Sequence, residues 1–246
     1  MFRSFVYLDD KKMYEYLRLI NKSYLNISFN ESRETSANFG CKTIGAGVSA
    51  KSIKNTEHIQ DITNDYDQFE KDLTKKNKDS YFDFTTTDYD LLTVPNMCII
   101  RLYDFIKIPE KFDMLNLIKT FGDLFVEMQD NSKTDKEILK SFLGNSSADI
   151  PFILKKESYT VYGKMKTDYL SEEYTDLEEY ENQEIFLLCK VISKNENKQV
   201  KIFDPLKDFL KFNRALRRGM NNDNKDLQPI VIDGPVVKVE PIAIYK

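Results

Sequence analysis

The stretch Ile185–Phe203, IFLLCKVISKNENKQVKIF, decides the fold class. Ile185–Ser193 is an apolar run rich in β-branched residues. Residues 194–198 are polar and Asn-containing, and Gln199–Phe203 is a second short run of strand character. That pattern predicts a β-hairpin. Asp204 and Pro205 then supply an N-cap and a first helical position. Leu206, Phe209, Leu210 and Leu216 lie on one side of the expected helix, and Gly219 ends it.

Working outward from this stretch, Ile230–Ile232, a turn at Asp233 and Gly234, and Val236–Tyr245 read as a final hairpin. On the other side, Phe152–Leu154 and Tyr159–Met165 are strand candidates, with Gly163 a candidate bulge. The first half holds more helix. Met97–Ile108 reads as a buried central strand. A helix is expected after Pro109, with Leu115, Ile118, Phe121, Leu124, Phe125 and Met128 on its core face. Another is expected from Thr134, whose capping box is completed by Glu137 and which Gly144 closes. Near the start, Phe5–Leu8 is a strand. Asp9 and Asp10 cap a helix carrying Met13, Leu17 and Ile20. Residues 21–54 read as a weak hairpin or a loop. Ile59, Ile62, Tyr66, Phe69 and Leu73, spaced 3, 4, 3 and 4, mark the clearest helix, with Asn55 or Thr56 as its cap.

Strands and helices do not alternate strictly, so the expected class is α+β: a mixed or antiparallel sheet with several packed helices and a strand-rich second half. The charged run at 75–79 suggests a division into an N-terminal segment, 1–78, and an α+β body, 79–246, or one domain overall.

Composition excludes several function classes. The 246 residues hold 36 basic and 40 acidic side chains, a net charge of −4, so the chain is no nucleic-acid-coating polycation. The single histidine, His58, excludes multi-histidine metal sites. Cys41, Cys98 and Cys189 are odd in number and far apart, which excludes a zinc ribbon and fits a reduced, cytoplasmic protein. No apolar run is long enough for a membrane helix. Gly40 and Gly45 are followed by Ala46 where a phosphate loop needs Lys, so no nucleotide cofactor is expected.

Three sets of residues remain as site candidates. Asp88 and Asp90, on a loop, form a carboxylate pair that suits a hard cation and metal-dependent chemistry. Lys207, Lys211, Arg214 and Arg218, spaced 4, 3 and 4, form one basic helical stripe able to track the phosphates of a nucleic acid. Tyr174, Leu177 and Tyr180 share one helical side within an acidic segment and suit docking on a protein partner. No nucleophile–base pair stands out. The expected role is therefore a non-catalytic one, binding a protein partner, with nucleic-acid binding and a metal-dependent enzyme as alternatives.

Tyr7, Leu8 and Asp9 opening into a helix, the Asp-Pro turn and basic helix of Phe203–Arg218, and the closing Pro241, Ile242, Ala243, Ile244 and Tyr245 together resemble an uncharacterised bacterial domain family of unknown function, found near mobile-element and defence genes. The resemblance implies a bacterial cytoplasmic accessory protein. It carries no catalytic residues with it.

Overall fold

The computed structural model describes residues 3–21, 49–76, 79–110, 112, 149–171, 177, 179–180, 183–196, 198–209 and 228–246. The helices expected over Leu115–Met128 and Thr134–Gly144, the strand candidate at Tyr24–Phe29, and Tyr174, Lys211, Arg214 and Arg218 lie outside them.

Nine strands and two α-helices are present among the described residues. In chain order they are β1 (Phe5–Leu8), α1 (Asp10–Ile20), α2 (Ser49–Lys76), β2 (Tyr81–Asp83), β3 (Ile99–Phe105), β4 (Ile150–Lys155), β5 (Thr160–Met165), β6 (Glu184–Asn195), β7 (Val200–Phe203), β8 (Ile230–Ile232) and β9 (Val236–Tyr245). The class is α+β and the sheet is mixed, as the sequence predicts. The expected several helices are two among the described residues.

The main sheet runs β2-β3-β6-β9-β5-β4, with β1 also on β9. Its two sides meet. Beyond β3, Lys107 pairs with Ile153 of β4 through two hydrogen bonds of 2.8 Å, one in each direction. The ring β3-β6-β9-β5-β4 is thus a small barrel whose last seam is one bridge. Closure of this kind removes exposed strand edges.

Residue alternation sorts the barrel wall into two faces. Ile100 and Leu102 of β3, Leu187, Cys189 and Val191 of β6, Phe152 and Leu154 of β4, and Val237 and Val239 of β9 fill the interior. Leu188, Ile242 and Tyr245 face outward and are covered by Met13 and Leu17 of α1 and Tyr66, Phe69 and Leu73 of α2. The 3-4 spacing of α2 is the pattern of a helix lying on that outer wall.

The sequence reading is corrected at five points. β6 and β7 do not form a hairpin: β6 is occupied along one edge by β3 and along the other by β9, so β7 pairs with β8 in a separate ribbon. For the same reason β8 and β9 do not pair. Gly163 is no bulge, since β4 and β5 stay in regular register across it. A Cβ there would lie 2.6 Å from the Phe152 ring and 2.8 Å from the carbonyl oxygen of Val239, so the position needs glycine for close approach. α2 begins at Ser49, upstream of the expected cap. Met97–Ile108 is not buried on both faces: Tyr103 and Phe105 are exposed. By contrast β1 and α1 match their sequence reading. The Asp9 side chain accepts from the backbone N–H of Lys12 at 3.1 Å and caps α1.

The helix layer is clamped to the barrel by a mixed ionic and aromatic cluster. The Tyr245 hydroxyl donates to Glu70 Oε1 at 2.7 Å. Arg3 pairs with Asp67 and Glu70. The Arg101 guanidinium lies 4.6 Å from the Phe186 ring centre, and its NH1 is 3.5 Å from Asp83. Phe186 stacks on Tyr245 with centroids 5.3 Å apart. Burial works against the charge on Arg101, but Tyr245, Glu70 and Asp83 outweigh it and hold its pKa above the ordinary value.

Replacing Gly163 with Val is expected to destabilise the chain by about 1–3 kcal/mol, the usual range for overpacking a closed core. Urea unfolding followed by circular dichroism checks this. An unchanged midpoint would mean that Phe152 and Val239 yield freely and that the barrel interior at Gly163 is not tightly packed.

Candidate functional site

Two of the concave surfaces formed by the described residues are opposite in charge. The first is a cleft of 680 Å³ formed where the 84–94 loop, β3 and the β4–β5 turn meet. Its rings are Phe84, Tyr89, Tyr103 and Tyr159, and its carboxylates are Asp88, Asp90 and Glu157. Lys156 also lines it, but it is paired with Asp104.

The loop that carries Asp88 and Asp90 is built locally. The Asp90 carboxylate accepts from the Leu92 N–H at 3.0 Å, an Asx turn, and its carbonyl accepts from Thr93 Oγ1 at 2.8 Å. Leu91 and Val94 anchor the loop in the barrel core. Lys194 of β6 donates its ammonium to the carbonyls of Leu92, at 2.7 Å, and of Val94. Burial lowers the Lys194 pKa. Tyr89 is held edge-on by Phe82 and Phe84, each with centroids 5.4 Å away. Tyr89 and Tyr103 nonetheless keep 38% and 43% of their surface exposed, enough to meet a partner.

The acids of this cleft act on its tyrosine. Burial raises the Tyr159 pKa, and Asp90, Asp104 and Asp88 raise it further. Asp88 and Asp90 line the same cleft, but they gather no third ligand among the described residues. No group of three His, Cys, Asp or Glu suited to a metal ion occurs among the described residues.

The second concavity, of 410 Å³, lies on the outer wall of the barrel. Lys207, the one described member of the expected basic stripe, lines it. The Lys207 backbone N–H is bound to Asp204, within a short π-type turn at Pro205–Phe209.

The expected docking residues are placed differently. Leu177 is buried in the barrel core cluster, and Tyr180 packs against that cluster with the Lys246 ammonium 5.0 Å from its ring centre. Both turn toward the body of the protein, so docking through Leu177 would require it to leave the core.

Sequence reasoning missed Phe84, Tyr89, Tyr103, Glu157 and Tyr159. Of these only Tyr103 carried a signal, the alternation of Tyr103 and Phe105 with Leu102 and Ile106, which leaves two aromatic rings on an exposed face. Cys98 and Cys189 are free, buried thiols, and burial pushes the Cys98 pKa up to about 11. Neither is poised as a nucleophile.

The family described as Domain of unknown function (DUF6414) matches residues 2–245. The chain belongs to the DUF6414 family. The match takes in both termini and the whole strand-rich part, including β1 and β9, which pair with each other. No curated protein and no solved structure matches the chain. The fold and the cleft of this DUF6414 domain therefore rest on its own geometry.

Tyrosine ionisation gives a pH test of the packing. Burial, then Glu70, pushes Tyr245 up to about 12. Burial, then Glu240, does the same for Tyr16. The folded chain holds these protons more tightly than the unfolded chain, whose tyrosines titrate near pH 10. The stability they contribute is complete below about pH 10 and is lost as the pH rises toward 12. Urea midpoints should fall between pH 10 and pH 12, with the tyrosinate absorbance of the buried rings appearing only on unfolding. Full ionisation near pH 10 in a chain that remains folded would contradict the burial of these rings.

Proposed function

We propose that the chain acts by binding rather than by catalysis, and that the acidic aromatic cleft receives a basic segment of a partner protein. One observation carries this reading. Three carboxylates, Asp88, Asp90 and Glu157, surround four aromatic rings in a single concavity of 680 Å³. An arginine or lysine entering it gains carboxylate pairing and a ring face together. Each cation–π contact is worth about 0.5–2 kcal/mol, more as water is excluded. The partly exposed Tyr89 and Tyr103 supply rigid, amphipathic contact area of the kind enriched at interfaces. Asp88 makes no hydrogen bond or ion pair within the described residues and is open to a partner's cation.

The resemblance of the two termini to bacterial accessory proteins extends the proposal. The setting is cytoplasmic, and the role is that of a regulator in a mobile-element or phage-defence context. The free thiols of Cys98 and Cys189 fit a reducing compartment.

The test is affinity capture with the tagged chain from a lysate of its native host, with and without nuclease, beside the variant Asp88→Asn, Asp90→Asn, Glu157→Gln. A protein retained at stoichiometric level after nuclease, and lost by the variant, is the expected result. In a direct titration, an octa-arginine peptide should bind the variant about tenfold more weakly than the wild type, the combined effect of three modest surface charges. A partner released by nuclease, or one held equally by the variant, would overturn the reading.

A further inference from the structure

Among the described residues, helix covers only part of the outer wall of the barrel. Toward the Tyr245 end of β9, α1 and α2 bury it. Toward the other end, the outward positions are Lys238 and Glu240 of β9 beside Tyr162 and Lys164 of β5. There the wall meets the β7 segment and the start of α1 and forms the 410 Å³ concavity. Six lysines converge on it: Lys12, Lys164, Lys166, Lys201, Lys207 and Lys238. They come from separate parts of the chain, so no sequence pattern announces them.

The carboxylates present do not cancel these charges. Lys12 pairs with Glu240 at 2.8 Å and with the buried Asp9 at 3.2 Å, while Lys166 lies 3.6 Å from Asp9. Lys164 pairs with Asp208 at 2.7 Å, and Lys201 lies 3.5 Å from Asp204. Asp149 also lines the space. Lys207 and Lys238 are exposed and pair with no carboxylate among the described residues. Six ammonium groups face five carboxylates, the four that line the space and the buried Asp9, which leaves one positive charge in excess among the described residues, in a chain whose net charge is −4. A cleft lined by an excess of one sign of charge raises the local concentration of ions of the opposite sign, and Lys207 and Lys238 are the two ammonium groups open to an anion.

Shape narrows the choice of anion. The space lies within the size range of small-molecule sites, and Ile192 and Ile202 give it an apolar part. A concavity of this size suits a compact ligand better than the convex backbone of a duplex. Compact, mobile ammonium groups suit phosphate oxygens. We propose that this lysine cleft binds a phosphorylated small molecule of nucleotide size bearing two or more phosphate groups. The site is distinct from the acidic aromatic cleft and does not depend on the reading given to that cleft.

The experiment is calorimetric titration of the full chain with pyrophosphate, with ATP in the presence of EDTA, and with a single-stranded oligonucleotide, at low and high salt. The variant Lys207→Gln, Lys238→Gln removes the two lysines that hold no structural ion pair, so its melting temperature should match the wild type. Pyrophosphate or ATP should bind the wild type and bind the variant at least tenfold more weakly. Lys207→Arg, Lys238→Arg should retain most of the affinity. A folded wild type that binds neither pyrophosphate nor ATP at low salt would overturn the proposal. So would binding unaffected by the variant. Binding confined to the oligonucleotide and growing with its length would replace the small ligand with nucleic acid.

Discussion

Everything in this fold hangs on the occupation of both edges of β9. Along one edge β6 pairs with it from Val236 to Tyr245. The other edge is shared, with β5 on Val236–Lys238 and β1 on Ala243–Tyr245. Between the two partners lie Glu240 and Pro241, and the latter has no N–H to donate. Opposite this point β6 carries a register shift at Leu188/Cys189. A strand flanked on both sides by hydrogen-bonded neighbours must satisfy two faces as well, and β9 does so with Val237 and Val239 inward and Ile242 and Tyr245 outward. Loss of its register would expose both cores together.

The two clefts follow from how that barrel is covered. Two helices on the described chain can cover only part of a barrel's outer wall. Where they lie, the wall is aromatic and its charges are tied into the Glu70, Arg3 and Arg101 cluster. Where they do not, the wall is polar and concave. On the other side, the Lys107–Ile153 seam brings the β4–β5 turn close to β3 and the 84–94 loop. The same closure that buries the interior therefore assembles the acidic aromatic cleft from segments some 70 residues apart.

Local signals were legible wherever one segment carried its own instruction. The Asp9 cap, the Met13 and Leu17 face of α1, the Tyr66-Phe69-Leu73 spacing of α2 and the apolar run of β6 all form as their residues predict. Pairing was not legible. Two runs separated by a short polar turn usually pair, yet β6 and β7 do not, because both edges of β6 are taken by strands distant in sequence. Gly163 looked like a bulge because sequence shows only that a side chain is missing, and the cause, the Phe152 ring over the backbone, lies on another strand. Asp88 and Asp90 were visible as a pair of acids, but two of the rings that share their cleft, Tyr103 and Tyr159, come from β3 and the β4–β5 turn.

Composition and periodicity by themselves determined the α+β class, the bounds of β1, the start of α1, the helical face of α2 and the absence of any histidine cluster. These properties depend on nearest neighbours in sequence and on counts, so short-range physics sets them. The barrel seam, the partners of β7 and β9, the convergence of six lysines and the grouping of four rings with three carboxylates were decided only by tertiary structure. Each depends on which edges are already filled and which faces are already covered, and these are properties of the whole chain once folded.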